Sequence, residues 1–188
     1  MPSEFVLSFW VSFAAAAVAA YPTLLVLRRL RAESIISRFA PEAHQSKQGT
    51  PSMGGIITLF GCAVALLALL PGGWGGGVGL SFLLLLTFAV VGLLDDFVVP
   101  RVTGKRGIGW MPKLGLQLLA VSPVFFSLPL KDAPAVAFWV LFFANAVNFA
   151  DGLDGLAALL LLLTLPVLAL RLEWSAEGVV ALAICGGG

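Results

Sequence analysis

The chain has 188 residues, of which 60% are apolar and only 11% are charged, and its formal net charge at pH 7 is +1. A soluble domain carries about 25% charged residues, and a chain of this length cannot enclose so much apolar surface. The composition therefore excludes an ordinary soluble globular protein. The small net charge gives no global attraction for nucleic acid, and two distant cysteines with one histidine argue against a disulfide framework or a zinc site.

Apolar segments separated by polar or glycine-rich stretches predict an all-α, polytopic membrane bundle that forms one domain over residues 1–188. A helix needs about 20 residues to cross the hydrocarbon core of a bilayer, so we expect six full spans and part of a seventh. The first segment has Glu4 and no Lys or Arg before it, which favours a retained span over a signal peptide. The segments lie at 5–27, 54–70, 79–94, 114–130, 134–149, 155–170 and from 178 onward.

The basic residues alternate between loops and so predict an orientation. Cytoplasmic loops hold the excess of Lys and Arg, and nine of the eleven bases fall after the first and third segments. We therefore expect the N-terminus outside and both basic loops in the cytoplasm. The nine bases are Arg28, Arg29, Arg31, Arg38, Lys47, Arg101, Lys105, Arg106 and Lys113.

Four aspartates fall on the cytoplasmic side of this topology. Asp95 and Asp96 end the third segment, and Asp151 and Asp154 lie where the fifth meets the sixth. Carboxylates at membrane depth are costly and mark an ion, proton or substrate site. The alternative for any one of them is a helix-terminal aspartate in water, but four on one side weaken that alternative.

Asn145, Asn148, Asp151 and Asp154 recur at every third position. This spacing can align four oxygen-bearing side chains on one face of a helix end or turn. Such a set suits Mg²⁺, which takes one or two carboxylates and completes its shell with water and substrate phosphates. Helix capping is the alternative and could explain one of the four.

Two basic loops could receive phosphate on the same side. The first, residues 44–55, brings Lys47, Thr50 and exposed backbone amides to a helix start, which can bind an anion. The second, residues 101–113, could supply cations for a diphosphate. The alternatives are a positive-inside anchor and binding of anionic lipid headgroups. The residues alone leave two interpretations of function: Mg²⁺-assisted phosphoryl chemistry at the membrane interface, and ion-coupled transport.

Three motifs closely resemble the polyprenyl-phosphate N-acetylhexosamine-1-phosphate transferase superfamily, in the order and with the intervening spans of that family. The first motif favours the phospho-N-acetylmuramoyl-pentapeptide branch over the N-acetylglucosamine branches, which stay the alternative. The motifs are HQSKQGTPSMGG (44–55), GLLDDF (92–97) and NAVNFADGLDGLA (145–157).

The resemblance implies an enzyme of peptidoglycan synthesis in the bacterial inner membrane, with its active site on the cytoplasmic face. It would transfer phospho-N-acetylmuramoyl-pentapeptide from UDP to undecaprenyl phosphate with Mg²⁺, forming lipid I and UMP; a homodimer is a further expectation. The implied catalytic residues are Asp95, Asp96, Asn148 and Asp151, of which the three aspartates are candidate metal ligands. The implied substrate-binding residues are Lys47, Thr50, Lys113, Asn145, Gly152, Leu153 and Asp154.

The sequence departs from the family pattern at two points. A lysine that the family commonly has three residues after the second aspartate is replaced by Val99, and Arg101 is a candidate substitute although Arg and Lys are not interchangeable. The family fold has about ten helices of about 20 residues each, so we expect this chain to be an N-terminal portion, with the family's main Mg²⁺ ligand beyond residue 188. Whether Asp95 and Asp96 act as base or metal ligand stays open.

Overall fold

The computed structural model describes residues 2–30, 53–69, 77–104, 107–150 and 156–171, together with Ala181 and Ile184. These parts of the chain are helical and contain no strand, as the apolar segments predict. The helices are α1 (Pro2–Arg29), α2 (Gly55–Leu69), α3 (Gly77–Leu93), a π-helical turn (Leu94–Val98), α4 (Val99–Thr103), α5 (Trp110–Val121), α6 (Pro123–Ser127), α7 (Ala133–Ala150) and α8 (Leu156–Arg171).

Helices α1 and α2 pack along a line of small residues. Ser8, Ser12 and Ala16, spaced four apart on α1, are buried. Gly61 of α2 lies so close to α1 that a Cβ built on it would be 2.7 Å from the carbonyl oxygen of Ser12. Small residues allow such close approach of two backbones, which is how helices commonly associate in membranes.

Helices α3, α5, α6 and α7 form the second packed group. Its core consists of Val121, Val124, Ala133 and Ala137, and leucines and a phenylalanine of α3 pack against it. The hydroxyl of Thr87 on α3 also donates to the carbonyl oxygen of Ala120 on α5, at 2.9 Å. This packing places α5 against α3, which leads into the turn that carries Asp95 and Asp96, and against α7, which carries Asn145 and Asn148.

The outer surface of the helices is apolar. Two stretches, Val6–Arg29 and Gly77–Thr103, are long and apolar enough to cross a membrane. Only 17% of the most apolar part of the first and 11% of that of the second are buried inside the protein. Shorter apolar helices are Gly55–Leu69, Ala133–Phe149 and Leu156–Leu168. Exposed aromatic side chains on the described helices include Trp10, Phe126 and Phe149.

The predicted segments differ from the observed helices in two places. The segment 114–130 is not one helix, because α5 ends at Val121 and Pro123 begins α6; proline has no N–H to continue the hydrogen-bond ladder. The segment 79–94 continues beyond its predicted end, through the π-helical turn, to Thr103. The last predicted segment falls largely outside the described residues.

Candidate functional site

Asp95 and Asp96 lie in the π-helical turn, where the backbone N–H of Val99 donates to the carbonyl oxygen of Leu94 five residues earlier. Pro100 accounts for this wider turn. It has no N–H, and in a regular α-helix its ring would clash with the carbonyl of residue 96. Single π-helical turns within α-helices occur frequently at functional sites, and here the turn carries both acids of the GLLDDF motif.

Both carboxylate oxygens of Asp95 are engaged. Its Oδ2 accepts a hydrogen bond from Nζ of Lys113 at 2.5 Å, and its Oδ1 accepts one from the backbone N–H of Ile108 at 2.7 Å. The two side chains are 15% exposed for Asp95 and 21% for Lys113. Charge-assisted bonds of this kind are short and strong, so Asp95 ties the end of α3 to the start of α5 and to the loop before it.

Gly107 makes the Asp95–Ile108 bond sterically feasible. Its φ is +154°, and a Cβ at this position would be 2.6 Å from Oδ1 of Asp95 and 3.2 Å from its backbone carbonyl oxygen. Gly104, with φ +66°, ends α4 in the left-handed conformation, where its N–H bonds to the carbonyl of Pro100. The loop can therefore close over the carboxylate because residue 107 has no side chain.

A second polar contact joins α5 to α7. The side-chain amides of Gln117 and Asn145 exchange hydrogen bonds, with Nε2 of Gln117 3.2 Å from Oδ1 of Asn145 and Nδ2 of Asn145 3.0 Å from Oε1 of Gln117. Nδ2 of Asn145 also donates to the carbonyl oxygen of Leu141 at 2.8 Å. Gln117 is only 4% exposed, whereas Asn145 is exposed, so the pair joins a buried amide of α5 to an exposed amide of α7.

The remaining described candidates lie on the exposed side of this arrangement. Asp96 follows Asp95 in the π-helical turn, and Asn148 lies one turn beyond Asn145; both are exposed. The guanidinium of Arg101 lies 4.1 Å from the ring centroid of Phe97, a cation–π arrangement. Arg101 thus contacts Phe97, the residue that follows the two aspartates in the chain.

The structure brings together some of the predicted residues and leaves others undescribed. Asp95 pairs directly with Lys113, whereas Asn145 pairs with Gln117, which sequence reasoning did not single out. The signal for Gln117 was available, since it lies four residues after Lys113 and therefore on the same helix face. The candidates outside the described residues are Lys47, Thr50, Asp151, Gly152, Leu153 and Asp154.

The described residues contain no group of three or more His, Cys, Asp or Glu side chains that could hold a metal ion. Mg²⁺ does not require one, because it commonly uses one or two carboxylates and takes its other ligands from water and substrate phosphates. The side chain of Asp95 is only 15% exposed. Asp96 is exposed to solvent, so its carboxylate is the more accessible of the two to a hydrated Mg²⁺ ion.

Comparisons with known proteins agree with the motifs. The model of the family "Glycosyl transferase family 4" matches residues 78–187, more than half of the chain, and "Phospho-N-acetylmuramoyl-pentapeptide-transferase signature 1" matches residues 47–57.

Curated relatives with the name phospho-N-acetylmuramoyl-pentapeptide-transferase match most of the chain. The Desulforudis audaxviator protein is 37% identical over 200 residues, covering 86% of this chain and 59% of the relative. The Synechococcus sp. protein is 35% identical over 183 residues, covering 87% and 53%, and a Streptococcus pneumoniae protein is 32% identical over 157 residues, covering 73% and 45%. The chain spans about half the length of these relatives. The predicted resemblance is confirmed, and the chain belongs to glycosyl transferase family 4, with phospho-N-acetylmuramoyl-pentapeptide transferases as relatives over most of its length.

Proposed function

We propose that the protein transfers phospho-N-acetylmuramoyl-pentapeptide from its UDP-linked donor to undecaprenyl phosphate, forming lipid I and UMP. The observation that carries this proposal is the Asp95–Lys113 pair, in which a carboxylate of the GLLDDF motif holds a cation at the start of α5. The names of the relatives and the signature at 47–57 support the donor class.

We place this reaction at the cytoplasmic face of the bacterial inner membrane. The two long apolar helices and the exposed apolar surface of the shorter ones support insertion in a bilayer. The six apolar segments of the sequence support six crossings, and the alternating basic loops support an N-terminus outside. Helices shorter than about 20 residues need a few flanking residues to complete a crossing.

The chemistry is a displacement at phosphorus. An oxygen of the acceptor phosphate attacks the phosphorus bonded to the sugar, and the bond from that phosphorus to the bridging oxygen of UMP breaks, so the leaving group is UMP. A phosphate monoester has its second pKa near 6, so the acceptor is largely a dianion at pH 7 and needs no strong general base. The main difficulty is to bring two anions together.

Lys113 addresses this difficulty. Its ammonium has three N–H donors, and Asp95 accepts one of them, so donors remain for oxygens of the diphosphate. Asp95 holds the ammonium in place through a half-buried contact, which reduces the reorganisation needed when the substrate binds. Positioned charges of this kind supply most of the catalysis in phosphoryl transfer.

Asp96 is the described residue that would hold Mg²⁺, and Asp151, outside the described residues, is a second candidate. When bound, Mg²⁺ would act as a Lewis acid on the diphosphate oxygens. Arg101, which contacts the ring of Phe97, would offer a further cation where Val99 replaces the family's lysine.

The test is turnover of the protein reconstituted in lipid with undecaprenyl phosphate and Mg²⁺. One reaction contains UDP-N-acetylmuramoyl-pentapeptide and the other contains UDP-N-acetylglucosamine, with UMP and the lipid product measured in both. We expect UMP and lipid I only with the muramoyl donor. Turnover of the glucosamine donor alone would contradict the donor assignment, and turnover of neither would contradict the proposed activity.

A further inference from the structure

The reciprocal pair of Gln117 and Asn145 is a polar contact between α5 and α7. A buried amide is costly unless its hydrogen bonds are made, and Gln117 is only 4% exposed. Gln117 donates to and accepts from the exposed side chain of Asn145, which uses its second N–H on its own helix. The buried amide of Gln117 therefore keeps both of these bonds only at one relative position of α5 and α7.

The pair lies one helical turn from a candidate site residue on each helix. Gln117 lies one turn after Lys113 on α5, and Asn145 lies one turn before Asn148 on α7. Sliding α7 by one residue relative to α5 moves it about 1.5 Å along the axis, which is enough to break both amide bonds. The separation of Lys113 from Asn148 therefore depends on this contact.

We propose that Gln117 and Asn145 are a positioning pair that sets the axial register of α7 against α5. In this role Asn145 acts through Gln117, in place of the direct substrate contact expected from the sequence. The catalytic consequence rests on the proposed function, since it requires Lys113 and Asn148 to act on one substrate. Misplacing reacting groups by about 1 Å can lower a rate about 100-fold.

The structural part of the test measures the separation of the two helices. Spin labels are attached to cysteines at Leu118 and Phe143, which are 54% and 58% exposed, in a background without native cysteines. We expect one narrow distance distribution in the parent protein. Gln117→Leu and Asn145→Leu should each broaden or shift it, and the double variant should do no more than either single one.

Two further variants separate register from general damage. Exchanging the residues, Gln117→Asn with Asn145→Gln, keeps the combined length of the two amides and should restore the narrow distribution. Thr164→Val is the matched control, because the hydroxyl of Thr164 donates within its own helix to the carbonyl of Leu160 at 2.6 Å. It also loses a side-chain hydrogen bond, but we expect no change in the distance.

The kinetic part separates positioning from substrate binding. Both single leucine variants should lower kcat by about 10- to 100-fold with KM for the donor unchanged, and the exchange should recover kcat. An unchanged distance in both single variants would overturn the proposal. So would a raised KM in Asn145→Leu but not in Gln117→Leu, because it would show a direct substrate contact. If the parent protein has no turnover, the proposed function fails, but the distance measurement still tests whether the pair sets the register of α7 against α5.

Discussion

Gly107→Ala tests the closure of the α4–α5 loop over Asp95. The added Cβ would be 2.6 Å from Oδ1 of Asp95, a distance at which something must move. The shift removes the hydrogen bond from the backbone of Ile108, which is worth about 1.5–3 kcal/mol to a charged acceptor, with the lower end applying because the contact is partly exposed. The positive φ adds about 1–3 kcal/mol for a residue with a side chain.

Gly104→Ala is the matched control for this substitution. Gly104 also has a positive φ, +66°, but a Cβ there meets nothing within 4 Å, so it carries only the conformational cost of about 1–2 kcal/mol. We therefore expect Gly107→Ala to be the more destabilising by about 1.5 kcal/mol, the lower end of the hydrogen-bond term.

Thermal unfolding in detergent measures the difference. For a chain of this size about 1 kcal/mol shifts the Tm by 2–4 °C, so the Tm of Gly107→Ala should lie about 3–6 °C below that of Gly104→Ala. Turnover should also be lower in Gly107→Ala, because a displaced Asp95 no longer holds Lys113 in a fixed position. Equal Tm values for the two variants would refute the steric account of the loop.

Three other substitutions probe separate parts of the structure. Asp96→Asn should abolish turnover, whereas Asp132→Asn, in the turn before α7, should retain it; lipid I formation near the parent rate by the first would contradict its role. Gly61→Ala should lower the free energy of unfolding by about 1–3 kcal/mol, because the added methyl group overpacks the contact with α1. Gly115→Ala is the control: a Cβ at this position meets nothing within 4 Å, so it should raise the free energy of unfolding by up to about 1 kcal/mol. Equal thermal shifts for the two variants would contradict the close packing of α1 and α2. Pro100→Ala should allow a regular α-helix and reduce turnover by turning the acidic pair; an unchanged rate would show that the π-helical turn is dispensable.

The helical architecture was predictable because long apolar runs have few other solutions in lipid. The break at Pro123 was also readable, since the missing N–H of proline is a local property, although the segment was predicted as continuous. The continuation of the helix beyond α3, through the π-helical turn to Thr103, was harder to predict from the sequence. A proline at position 100 usually ends a helix, and here the π-helical turn accommodates it instead.

The sequence predicted which residues belong to the candidate site but not which of them contact each other. The motifs indicated Asp95 and Lys113 separately, and their contact depends on a loop whose closure is set by Gly107 and the backbone of Ile108. Spacing placed Asn145 and Asn148 on one helix face, but the partner of Asn145 depends on the axial register of two helices that are distant in sequence. The sequence also treated Asp95 and Asp96 alike, whereas in the structure Asp95 is only 15% exposed and Asp96 is exposed to solvent.

The most direct test of the proposed activity compares kcat for Lys113→Met and Lys131→Met with the muramoyl donor. The substitution is the same in both variants, and Lys131 lies in the exposed turn between α6 and α7, away from the acidic pair in the chain. Removing one positioned donor lowers kcat by about 10²- to 10³-fold, so we predict a loss of that size for Lys113→Met and a change of no more than about twofold for Lys131→Met. Equal rates for the two variants would contradict the role of the held lysine in phosphoryl transfer.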